Sequence, residues 1–140
     1  MPESEISTLE ILFVGLAKAF GGMLTWTWDG RFGTAASEFP AEKKETVLGI
    51  LEEYLVSRWD SATIAEAPEA AKKVKGHLGG LMSGQLLLLS NPDSEPLAFC
   101  AWWPWGNGQT ISIRVGLFSG TMDGEQKQAL ADALKGWFGI

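Results

Sequence analysis

The chain has one cysteine and one histidine. A lone cysteine closes no internal disulfide, and the two together cannot build a zinc cluster, so the disulfide-stapled secreted scaffold and the zinc finger are both excluded. Cationic side chains are also scarce. Eleven Lys and Arg face 17 Asp and Glu, for a formal charge of −6 and an isoelectric point near 4.7. That field repels phosphate backbones and anionic bilayers, which argues against nucleic acid and membrane partners. Long apolar runs are missing: residues 11–17 end at Lys18, far short of the roughly 20 residues that cross a bilayer. The opening Met1-Pro2-Glu3-Ser4-Glu5 is acidic where a secretory signal is basic, so export by that route is not expected and the reading is cytoplasmic.

What is present is a globular composition. At 140 residues with 46% hydrophobic and 20% charged side chains, one domain of this size buries roughly 70% of its unfolded surface. No internal repeat or second domain is evident. Ser7 and Glu10 have capping-box spacing, with Ile6 and Ile11 placed as a hydrophobic staple, and Leu9, Phe13, Leu16 and Phe20 form one stripe. Together they predict a helix over 8–20, stopped by Gly21-Gly22. Leu24, Trp26 and Trp28 then alternate up to Asp29-Gly30, which predicts a tight hairpin with a return strand over 31–36.

Pro40 suits a first helical position, and Val47, Leu48, Leu51, Tyr54, Leu55 and Trp59 predict a helix running to Trp59. Between Asp60 and Gly80 the signal is weaker, with a short helix expected after Pro68 that carries Ala71, Val74 and Leu78. Strands follow over 85–90, 97–103 and 109–117, separated by Asn91-Pro92-Asp93-Ser94 and by residues 104–108, an antiparallel meander. Asp123 and Gln126 cap a final helix bearing Leu130, Leu134, Trp137 and Phe138.

The expected class is α+β: a mainly antiparallel sheet of about five strands, helices on both faces, order αββα(α)βββα. The run Leu86 to Leu89 and the run from Leu97 to Trp103 are apolar on both sides, so the sheet must be covered above and below. The first and last helices are expected on one face and the middle helices on the other. This order of elements resembles that of roadblock-type and profilin-like modules, small dimer-forming or adaptor domains built on a five-stranded sheet. The resemblance lies in element order, residues 60–80 are additional to it, and it carries no functional residue onto this chain.

Seven tryptophans are the least ordinary feature. Trp26 and Trp28 precede one turn, Trp102 and Trp103 precede another, and Trp105 lies beyond it. Turn-adjacent indoles plug the ends of a core, form subunit contacts, or line a ligand pocket; stacking of Trp26, Trp28 and Trp105 on sugar is a lesser reading. His77 and Cys100 show no third member of a triad, and the glycines of residues 116–124 lack a phosphate-loop lysine. Lys72, Lys73 and Lys75 read as a solvated face. Arg114, on the polar side of an otherwise apolar strand, must pair with a carboxylate or stack on Trp102 if that face is covered.

The leading expectation is a cytoplasmic, non-catalytic interaction or adaptor domain, homodimeric through surplus apolar surface that includes Trp102 and Trp105. The alternative is a small-molecule sensor with a pocket lined by Trp26, Trp28, Trp103 and Arg114. No metal and no cofactor is expected.

Overall fold

A computed structural model describes residues 3–91, 96–121 and 123–140, with side chains described from Ser7 onward. Four helices, α1 (Glu3–Phe20), α2 (Lys44–Tyr54), α3 (Glu69–His77) and α4 (Gly124–Phe138), pack on one sheet. Its strands are β1 (Thr27–Asp29), β2 (Thr34–Pro40), β3 (Ser57–Asp60), β4 (Leu86–Leu89), β5 (Leu97–Pro104) and β6 (Thr110–Phe118). The sheet is six-stranded in the order β1-β2-β6-β5-β4-β3, with every neighbouring pair antiparallel. The class is α+β as expected, with one strand more than the sequence reading provides.

The additional strand is β3. The reading of 40–59 as one helix follows Trp59 as part of an apolar stripe. In the structure α2 stops at Tyr54, and Trp59 pairs in register with Leu87 on β4. Four residues are too few for alternation to compete with the preceding helical period, so the pairing is imposed by the edge of β4. Pro40 likewise ends β2, opposite Thr110, instead of opening the helix. A proline is tolerated there because the ladder is finishing.

Two local expectations also change. Helix α1 begins at Glu3, so Ser7 lies within it instead of capping it, and Ile11 is 74% exposed and staples nothing; the side chain of Ile6 lies outside the described residues. The β1–β2 turn is longer than the predicted two-residue hairpin. Asp29 Oδ1 accepts the Arg31 amide at 2.9 Å, the Gly33 amide donates to the Asp29 carbonyl at 2.9 Å, and the left-handed residue is Gly33, not Gly30. The aspartate side chain makes the turn, so the positive φ is needed only where the loop rejoins the strand. The predicted turn at 91–94 falls mostly outside the described residues.

The double-sided strands are covered on both sides within one chain. Leu88, Cys100, Trp102, Ile113 and Val115 face α1, α2 and α4, while Leu87, Leu89, Phe99 and Ala101 face α3. Helix α2 therefore joins α1 and α4, contrary to the expected division, and α3 takes the second face together with Ile64 and Ala67 of the turn before it. Its cluster draws on β3, β4 and β5. On the same side β1, β2 and β6 present Asp29, Thr34, Ser112 and Arg114, which accounts for the half-polar alternation of β6.

Candidate functional site

At one end of the sheet the β1–β2 loop, the last residues of β6, the end of α3 and the flank of α4 enclose a cavity of about 530 Å³. Leu117, Leu130 and Leu134 supply apolar lining, and Trp28, Phe32 and Phe118 bring rings to it. Beside the hydroxyl of Ser119 and the amide of Gln128, the cationic groups and the imidazole come from three separate elements. Arg31 stands on the loop, His77 ends α3, and Lys127 and Lys135 lie on α4.

Each of these groups has a local cause for its position. On α4, Lys127, Ala131 and Lys135 recur at i, i+4 and i+8, which keeps them on one side beside Leu130 and Leu134. The helix start is held by a complete capping box: the Gln126 amide donates to Asp123 Oδ1 at 2.8 Å and the Asp123 amide donates to Gln126 Oε1 at 3.0 Å. The Lys135 ammonium lies 4.9 Å from the centre of the Trp28 ring, and the Arg31 guanidinium lies 4.9 Å from that of Phe32. His77 Nε2–H donates to the Phe32 carbonyl at 3.1 Å, which ties α3 to the hairpin loop and leaves Nδ1 as the other ring nitrogen.

Of the four residues assigned to a pocket from sequence, only Trp28 lines this cavity. Trp26 is packed between Phe20 and Phe138, with ring centres at 5.9 Å and 4.6 Å. Trp103 and Arg114 lie on the α3 side of the sheet, with the strands between them and Trp28. Arg114 has partners of its own: Nε donates to Asp29 Oδ2 at 2.7 Å, Nη1 donates to Ser112 Oγ and to the Ile113 carbonyl, and the guanidinium covers the Trp103 ring at 5.4 Å. It meets the need for a carboxylate and an aromatic face foreseen from its strand, with Trp103 in place of Trp102. Trp102 is 5% exposed and packs on Phe39, whereas Trp105 beyond the end of β5 is 44% exposed. The two tryptophans of the expected interaction surface therefore do not form one surface.

Sequence reasoning passed over Arg31, Lys127 and Lys135. The available signal was lysine at i and i+8 flanking the Leu130–Leu134 stripe, but the opposing wall comes from a loop about 95 residues earlier in the chain. His77 and Cys100 are separated by the sheet: His77 contacts Phe99 and Phe118 on the α3 side, while Cys100 is fully buried in the opposite cluster. Burial pushes the Cys100 thiol well above its ordinary range, against a smaller lowering by a backbone hydrogen bond from Arg114. Among the described residues no three His, Cys, Asp or Glu side chains are grouped to hold a metal ion, and no helix is long and apolar enough to cross a membrane.

Fold and cavity together define a six-stranded α+β domain with an apolar, cation-rimmed recess at one end of its sheet. No family model matches the chain, and comparison with curated proteins and with solved structures finds no significant match.

Proposed function

We infer that this protein is a non-catalytic binding domain for a small organic molecule held in the cavity between the β1–β2 loop and α4. The observation that carries this reading is the recess itself. Its volume of about 530 Å³ lies in the range of ligand sites, and its leucine and aromatic lining is joined by polar and charged side chains from separate elements, Arg31, His77, Ser119, Lys127, Gln128 and Lys135. Among the described lining residues, the hydroxyl and the imidazole are each already hydrogen-bonded, and the non-catalytic part of the reading rests on those bonds. The Ser119 hydroxyl is engaged with Thr121 Oγ1 at 3.1 Å, and His77 Nε2 is engaged by the Phe32 carbonyl.

The test is a fragment cocktail titrated against uniformly ¹⁵N-labelled protein. Binders are expected to move the Trp28 indole and the backbone amides of Gly33, Ser119 and Lys127, and Ala131→Phe, which fills the recess, is expected to abolish those shifts. A cocktail that leaves all of these resonances in place sinks the reading.

A second reading, docking to a protein or to another copy of this chain, is favoured by Trp105, whose ring is exposed beside the hairpin tip. It predicts a concentration-dependent mass in light scattering that Trp105→Ala removes.

A further inference from the structure

We propose that the ligand of this cavity is an organic anion, a ring-bearing carboxylate whose apolar body lies on the leucines and whose charge is met by Arg31 together with either Lys127 or Lys135. The proposal rests on the reading of the recess as a ligand site and adds the chemistry of what it takes.

Its basis is a local reversal of charge. Carboxylates outnumber Lys and Arg by 17 to 11 over the whole chain, yet among the described lining residues there is no Asp or Glu, while three of the eleven cations and the only histidine are there. The neutralised arginines elsewhere provide the contrast. Arg114 is paired with Asp29 at 2.7 Å and Arg58 with Glu52 at 3.5 Å. Arg31, Lys127 and Lys135 have no carboxylate partner among the described residues.

In place of carboxylates, Lys135 and Arg31 have ring faces, those of Trp28 and Phe32. A cation held over a ring at a recess mouth keeps its hydrogen-bond donors for an incoming anion, because the π face uses none of them. A neutral apolar occupant would strip water from these groups and return nothing, whereas a carboxylate restores the lost solvation with charge-assisted hydrogen bonds. In a chain of net charge −6, such a patch is also where an anion is least repelled. Lys127 and Lys135 stand roughly 12 Å apart along the helix, so a rigid ring acid engages one of them together with Arg31 across the recess.

The test uses matched pairs that differ only in charge: benzoate and benzamide, naphthalene-2-carboxylate and naphthalene-2-carboxamide, indole-3-acetate and indole-3-acetamide, each titrated to millimolar concentration by ¹⁵N NMR. The acids are expected to bind at least about tenfold more tightly than their amides. The double variant Lys127→Gln/Lys135→Gln is expected to cut that advantage severalfold, leaving what Arg31 supplies, with the dispersion of the spectrum unchanged. Equal binding within each pair would overturn the anion proposal and leave the recess as a ligand site. Absence of any shift at the lining residues from all six compounds would overturn both.

Discussion

Gly116 lies opposite Phe99 in the β5–β6 register, and a Cβ added to it would stand 2.8 Å from the Phe99 ring and 2.8 Å from the Thr34 methyl. Neither neighbour is free to withdraw, since both are fully buried. Gly116→Ala should therefore overpack this layer at a cost of about 1–3 kcal/mol, read as a lower urea midpoint with unchanged slope; a midpoint equal to that of the parent would refute the contact. Cys100 makes a second residue-scale prediction. Its native pKa is raised by burial, so above about pH 8.5 the unfolded chain loses a proton that the native chain keeps. The unfolded state then binds fewer protons, and stability falls as pH rises, by at most about 1.4 kcal/mol per unit from this group. Below that pH the thiol has no effect on the pH slope. Urea unfolding of the parent and of Cys100→Ala at pH 8 and pH 10 isolates it: the parent should lose more stability between the two values, and parallel losses would show that the thiol ionises in the native state.

Among elements, the β1–β2 hairpin and α4 matter most, because the recess lies between them. Asp29 serves the hairpin twice: Oδ1 holds the loop amide of Arg31 and Oδ2 takes the Arg114 guanidinium. Asp29→Ala removes both and leaves a largely buried cation without its counter-charge, at an expected cost of about 2 kcal/mol. Hydrogen-exchange protection should then drop across β1 and β2 before it drops in β4, and a uniform loss would argue against a local role. For α4, Asp123→Ala deletes the capping box and should cost about 1 kcal/mol, with faster amide exchange in the first turn around Lys127.

Both elements were partly legible from the residues alone. Asp123 and Gln126 announce the start of α4 through backbone chemistry internal to four residues, and Asp29-Gly30 announces a turn. The loop's true geometry was not legible, because it depends on which of two glycines takes the left-handed conformation. That choice follows from where β2 meets β6. Strand β3 was hidden for the same kind of reason: nothing in Ser57-Arg58-Trp59-Asp60 outweighs a helical stripe until β4 offers its edge.

For the whole molecule, the important result is that one chain covers both faces of its sheet. The expectation of a homodimer followed from a surplus of apolar side chains around Leu86–Leu89 and the Trp102-Trp103 pair. With α1, α2 and α4 together on one face and α3 on the other, Leu88 and Trp102 are buried without a partner. These two residues therefore need no second subunit to cover them, while Ile11, Val56, Met82 and Trp105 stay exposed. We expect a monomer at micromolar concentration in size-exclusion chromatography with light scattering, and a stable dimer would move the protein-docking reading ahead of the ligand reading.

The residues alone specified what repeats locally: the stripes of α1 and α4, the meander β4–β6 with β4 and β5 apolar on both sides, the capping box at Asp123 and the need for cover on both faces. These depend on periodicity and on backbone chemistry within a few positions, which a linear pattern records. Tertiary packing alone decided the sixth strand, the helix partition and the recess. Each is a meeting of segments far apart in sequence, and a contact between Arg31 or Trp28 and the flank of α4 leaves no mark on either segment until the chain has folded.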